Sequence, residues 1–318
     1  MHRFKPGLLF LLFFVSLTIF SHRGAIASEG GSSHYTPGAV ASFIDFPSGI
    51  PYNVVSPMFG YFGSASASRQ FPIAGLLTAD VSAQSFAWTP TFQYDLPKKV
   101  LGGQYAFTLV LPLVQLNVDA NIVGQGGGNV RSSQSKTGLG DIYFSPFNLF
   151  WTKGNFKILA SVAMFAPSGS YTVGDLANIG KNYWTFNPYA GMSYNNPKNG
   201  LEANAYLGFN FNTKNTATDY LSGQEFHLDF TINKRFKNGF GVGGTGYVFQ
   251  QITGDSGSGA RLGGFRGRDI GIGPEVSYVT PLPNGVLFAM EAKWVPEIEV
   301  KNRLQGHWVW FKFAFIFK

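Results

Sequence analysis

From Leu201 to Asn212 the chain alternates without a break: Leu201, Ala203, Ala205, Leu207, Phe209 and Phe211 share one parity, and Glu202, Asn204, Tyr206, Gly208, Asn210 and Asn212 the other. Successive side chains of a strand point to opposite faces, so this run makes one apolar and one polar face. The next segment repeats the pattern, with Phe226, Leu228, Phe230 and Ile232 set against His227, Asp229, Thr231 and Asn233. The final segment stacks Phe311, Phe313, Phe315 and Phe317 on one side. A soluble sandwich also alternates, but these segments run to ten residues or more, and Trp151, Tyr183, Trp184, Tyr194 and Trp294 stand at segment ends, where bilayer interfaces would lie. The expectation is all-β: a transmembrane antiparallel up-and-down β-barrel of about 12 strands.

The start of the chain points to the same place. His2, Arg3 and Lys5 precede an apolar stretch from Leu8 to Phe20, and Ala25-Ile26-Ala27 supplies small residues for cleavage, which together read as a signal peptide over residues 1–27. Residues 28–52 are then an N-terminal periplasmic arm or plug, and residues 53–318 the barrel. Export to the bacterial outer membrane is the implied localisation, with outer-membrane lipid, lipopolysaccharide and, during biogenesis, the barrel-assembly machinery as partners. The absence of Cys suits such a route. Losing Arg3, Lys5 and Arg23 with the signal leaves 21 basic against 17 acidic residues, or +4, without a long basic run, so nucleic acid is a poor partner.

Connections alternate between short and long. Short ones are expected at Pro97 to Gly103, Thr152 to Asn155, Asn195 to Gly200, Lys237 to Gly239 and Pro281 to Gly285, where Asn and Gly supply tight-turn backbone. Long ones are expected near Ser64 to Asp80, Asn121 to Thr137, Ser168 to Asn182, Thr213 to Gly223, Thr253 to Arg268 and Pro296 to Gly306. Tyr105 to Val118 is apolar on both parities. A bulge at Pro112 would let Phe107, Leu109 and Leu111 face lipid before it and Val114, Leu116 and Val118 after it; the alternative is a strand apolar on both faces, covered inside by a plug.

The polar face carries the functional candidates. Glu202, Tyr206, His227, Asp229, Glu275, Glu291, Lys293 and Lys312 are expected in the lumen along a solute path, with Lys157, Tyr183, Tyr189, Tyr247 and Trp310 beside them. Mixed charge argues against strong ion selectivity, and aromatic walls suit an uncharged, partly apolar solute. Pairing Thr280 with Val286 would set Glu275 opposite Glu291, with Lys293 and Lys312 to neutralise them.

Enzymatic readings are weaker. Gly241 to Gly246 fits a dinucleotide fingerprint but lies inside a strand with no helix to follow, and Gly254-Asp255-Ser256-Gly257 looks like a protease serine segment in a glycine-rich loop. A lipase-like or protease-like barrel using His227, or a barrel that only binds or supports structure, is the alternative to a channel. No catalytic residue, cofactor or metal site is assigned, since His34, His227 and His307 are scattered.

Several segments resemble the family of meta-pathway phenol-degradation proteins: Gly138-Leu139-Gly140-Asp141 through Phe147, Asn182 to Pro188, Gly200-Leu201-Glu202, and Thr253 to Gly257. The resemblance spans most of the mature chain. It implies an outer-membrane barrel associated with aromatic degradation, acting as a channel or transporter for small hydrophobic or aromatic compounds, and it carries no catalytic motif.

Overall fold

The computed structural model describes residues 29–46, 52–65, 69–124, 128–283 and 285–317; the signal-peptide reading lies outside them. Among these residues sixteen strands are present: β1 (Tyr52–Ser64), β2 (Gln70–Ile73), β3 (Leu76–Trp88), β4 (Thr91–Val100), β5 (Gly103–Val110), β6 (Leu113–Val123), β7 (Asn129–Leu139), β8 (Ile142–Lys153), β9 (Phe156–Ala166), β10 (Thr185–Asn196), β11 (Leu201–Asn212), β12 (Glu225–Arg235), β13 (Phe240–Gln251), β14 (Arg268–Pro281), β15 (Leu287–Lys301) and β16 (Gln305–Phe317). All pair antiparallel, and β1 with β16 closes the sheet into a barrel, from Tyr52 opposite Phe317 to Ser64 opposite Gln305. Closure pairs each stave with two neighbours along most of its length, the condition for crossing lipid.

Three staves are kinked, two of them at prolines. β3 and β4 both pair with β1, so they are one stave broken at Thr89-Pro90. β5 and β6 are broken at Leu111-Pro112, and β7 and β8 at Gly140-Asp141. Proline has no N–H to give to the ladder. Around each break the neighbouring stave makes up the bonding: Thr89 N donates to Pro57 O (2.9 Å), Leu111 N to Pro90 O (3.1 Å) and Gly140 N to Pro112 O (2.8 Å). Counting each kinked pair once and leaving out the short hairpin strand β2, the barrel has twelve staves.

Turns at one end are tight, as expected, and the opposite, loop end carries the longer connections. Two expected long loops are instead strand. β6 and β7 pair from Leu113 opposite Leu139 up to Val123 opposite Asn129, and β15 runs to Lys301, leaving only Asn302 to Leu304 before β16. Polar alternation continues above the bilayer, which is why composition alone looked like loop. The other edge of β7 has no strand partner among the described residues. The segment after β9 covers it, where Lys136 pairs with Asp175 at 3.0 Å and Ala177 N donates to Gln134 Oε1 at 2.9 Å.

Facing follows the alternation. Phe209, Phe211, Ile232, Met290, Phe311 and Phe315 are exposed outward, whereas Glu202, Asn210, His227, Asp229, Glu291 and Lys312 are buried inside. An apolar belt around a polar interior is the inverse of a soluble protein and fits a lipid surround. The β14–β15 register differs from the expectation by two residues: Thr280 pairs with Phe288 and Glu275 with Lys293, while Glu291 faces Ser277. A slip of two keeps every side chain on its face, so the alternation that fixed facing could not detect it.

Candidate functional site

Residues 29–46 run inside the barrel. They bond inward side chains of one half of the wall. Tyr35 Oη donates to Asp229 Oδ2 (2.9 Å) and Gly38 N to Asp229 Oδ1 (3.0 Å). Thr231 Oγ1 donates to Ala41 O (2.6 Å), Tyr206 Oη to Asp45 O (2.8 Å) and Trp310 Nε1 to Pro37 O (3.0 Å). Lys312 Nζ lies 2.9 Å from both oxygens of Asp45. Lys293 Nζ reaches Gly38 O and Val40 O at 3.4 Å and pairs with Glu291 at 2.9 Å. The backbone of an irregular segment buried this way needs such partners, and β11, β12, β15 and β16 provide them.

The other end of the segment is tied by His34. Its Nδ1 lies 2.7 Å from Thr185 Oγ1 and its Nε2 2.8 Å from Asp141 Oδ2, with the ring stacked 4.8 Å from Phe165. Burial holds the His34 imidazole below its usual pKa, against the opposing pull of Asp141. Asp141 also accepts from Gly169 N (2.8 Å) and Lys181 N (2.7 Å), joining the kink, the covering loop and the inner segment at one carboxylate.

Between the inner segment and the opposite half of the wall lies a cavity of about 490 Å3. On that side its lining is Val55, Pro57, Phe59 and Tyr61 of β1, Val81, Ala83 and Ala87 of β3, and Val110, Val114, Leu116 and Val118 of β5 and β6. The expected switch of facing at Pro112 does not occur. Thr108, Val110, Pro112, Val114, Leu116 and Val118 all reach the cavity, while Phe107 and Leu113 are exposed outward. The proline breaks one ladder bond without inserting a residue, so parity is preserved, and the stave is apolar on both faces.

Aromatic rings run along the closure seam: Tyr61 and Trp308 are 4.4 Å apart, Phe59 and Trp310 4.6 Å, and Trp308 and Trp310 stack at 6.3 Å. Their polar atoms point away into the protein. Tyr61 Oη donates to Leu304 O (3.2 Å) and Trp308 Nε1 to Glu297 Oε1 (3.0 Å). What remains toward the cavity is ring surface.

The eight expected path residues divide unevenly. Tyr206 and His227 line the cavity. Asp229, Lys293 and Lys312 bind the inner segment directly, and Glu291 and Glu275 neutralise Lys293, at 2.9 and 4.0 Å, with Lys312 3.5 Å from Glu291. Glu202 is held by both Nε and Nη2 of Arg235, at 2.6 and 2.8 Å, below Phe43. His227 Nε2 lies 2.9 Å from Asn187 Nδ2 and its ring stacks on Tyr35 at 4.4 Å, while Asp229 stands 3.7 Å from Nδ1. Asp255 of the serine-like segment clasps loops instead, accepting from Tyr220 Oη (2.6 Å), Gly223 N (2.8 Å) and Gln251 Nε2 (2.6 Å), and Ser256 pairs by backbone with Leu221. Gly241 to Gly246 lie within β13. Sequence reasoning missed His34, which only the fold brings to Asp141. The apolar inner wall matches the alternative reading of Tyr105 to Val118, a strand apolar on both faces.

A family model described as "Putative MetA-pathway of phenol degradation" matches residues 64–313. The chain belongs to that family. Among solved structures, the COG4313 outer membrane channel from Pseudomonas putida F1 is similar over 89% of this chain and 100% of that one, with TM-score 0.62 and 14% identity. NanC porin (TM-score 0.41, 8% identity, 83% of this chain and 99% of that one) and a Pseudomonas aeruginosa FadL homologue (TM-score 0.39, 7% identity, 84% and 89%) are also matched. No curated protein sequence matches. The phenol-degradation family thus takes, in this member, an outer-membrane β-barrel fold.

Proposed function

We propose that this protein is an outer-membrane channel for small hydrophobic or aromatic compounds, and that their path is the cavity between the inner segment and the apolar wall of β1, β3, β5 and β6. The observation that carries this reading is the division of the interior. One half is charged and spent on binding residues 29–46, and the other presents aliphatic side chains and an aromatic ladder to open volume. An apolar cavity favours an apolar guest because transfer out of water is favourable by roughly 25 cal/mol per Å2 buried. The inner segment acts as a plug that narrows the bore and denies large hydrated solutes. The family's association with phenol degradation and the likeness to a solved outer-membrane channel support the same reading. The test is uptake by cells with and without the gene, using labelled toluene, phenol and arabinose. Faster entry of the aromatic solutes alone is expected; equal acceleration of the sugar would mean a general pore, and no change in any would remove the channel reading.

A further inference from the structure

We infer that the outward face of β14 and β15 at the loop end is a binding site for the phosphate groups of lipid A, the lipid part of lipopolysaccharide, built on Arg268 and Lys301 with Arg266 beside them. The inference rests on the outer-membrane barrel with its loop end outermost, and is independent of what passes through the lumen.

A bulge makes the site. β14 and β15 pair Gly271 with Glu297 but Ile270 with Glu299, so Ile298 is an extra residue on β15. One extra residue exchanges the two faces of the strand beyond it. Before the bulge Lys293, Val295 and Glu297 are buried toward the lumen; after it Glu299 and Lys301 are exposed, and Val300 takes the place opposite the buried Asp269. Strict alternation from Glu297 would have sent both Glu299 and Lys301 inward.

The cations so presented are not satisfied by the fold. Lys301 stands directly across from Arg268, and like charges in that position weaken a ladder unless an anion lies between them. Glu299 answers Arg268 alone, with Oε1 3.2 Å from Nε. Lys301 has no ion-pair partner among the described residues, nor has Arg266, which is exposed two residues before Arg268 and fixed through its carbonyl by Asn302 Nδ2 at 2.9 Å. Elsewhere at the loop end Arg131 is matched by Asp80 at 3.1 Å and Lys214 by Asp219 at 2.7 Å. Three cations against one carboxylate leave this face positive.

The surface beneath selects the partner. Ile270, Ile272, Trp294 and Ile298 carry the same face down toward the bilayer, with Trp294 51% and Ile298 62% exposed. Guanidinium and ammonium groups set directly above an aliphatic and indole surface complement a molecule that carries phosphates on top of acyl chains. On the loop side of an outer membrane that molecule is lipid A.

The test is native mass spectrometry of the purified, detergent-solubilised protein titrated with lipid A, dephosphorylated lipid A and phosphatidylglycerol, on wild type, on the double variant Arg268→Ser with Lys301→Ser, and on Arg131→Ser. Wild type should retain lipid A in preference to the other two lipids. The double variant should bind lipid A about thirtyfold more weakly, at roughly fivefold per cation near a phosphate, while Arg131→Ser should bind as wild type does. Unaltered lipid A binding by the double variant, or an equal loss in Arg131→Ser, would overturn the site. Equal retention of dephosphorylated lipid A would overturn phosphate as the group recognised, and equal retention of phosphatidylglycerol would overturn lipid A as the occupant. The lipid comparison on wild type decides the matter even where a variant fails to close its barrel.

Discussion

Lys312, on the last strand, holds both carboxylate oxygens of Asp45 at 2.9 Å across the lumen, and lies 3.5 Å from Glu291. Removing that ammonium would leave the buried Glu291 and the half-buried Asp45 with Lys293 as the remaining cation beside Glu291. Lys312→Met should cost about 3–5 kcal/mol, the range for breaking a buried pair from one side. Limited proteolysis near Asp45 should then accelerate. Adding Asp45→Asn in the same chain should recover part of the loss; no recovery would mean that the pair does not seat the segment.

The His34 contact should be sensitive to acid. Burial lowers its pKa from 6.5, so an unseated segment takes up a proton that the seated one resists. The stabilisation is fully present above about 6.5 and is lost as pH falls below that value towards the lowered one. Protection of residues 29–46 against hydrogen exchange, measured relative to the intrinsic exchange rate at each pH, should fall between pH 7.5 and 5.0, and His34→Gln should flatten the profile. An equal fall in His34→Gln would assign the effect to another group.

Leu116 reaches the cavity from β6 and packs against the cluster around Val118 and Phe71. Leu116→Gln puts an amide on the apolar wall at a cost of roughly 1–3 kcal/mol if unpaired. Toluene uptake should drop about tenfold while the amount of protein in the membrane stays the same. Unchanged uptake would place the route elsewhere in the lumen.

Gly169 and Gly180 meet backbone to backbone beside Gly140, and a Cβ added to Gly180 would run into the Gly169 main chain. Gly180→Ala should destabilise the covering loop by about 1–3 kcal/mol, an overpacking penalty. Faster protease cleavage between Ser168 and Lys181 would show it; cleavage as in wild type would mean the loop shifts without cost.

The fold was legible where physics repeats. Period-two alternation from Leu201 to Asn212 and from Phe311 to Phe317 fixed facing, and Asn-Gly turns fixed the tight end. It failed where composition stood in for geometry: Asn129 to Thr137 reads as polar loop yet lies in β7, because above the bilayer neither face need be apolar. The buried charges were found as a set, but their work was not, since Lys312 and Asp45 are separated by 267 residues and only closure of the barrel joins them. The β14–β15 register was out of reach for the reason given above, that a shift of two leaves the pattern unchanged.

The inner segment belongs to the beginning of the chain, and its partners Lys293, Trp310 and Lys312 to the end. These three ties need β15 and β16 in place, so the full seating of the segment and the closing of the seam with β1 are reached together. A barrel stalled one hairpin short would be open along its wall, with the segment held by its remaining ties, those to Thr185, Tyr206, Asp229 and Thr231 among them.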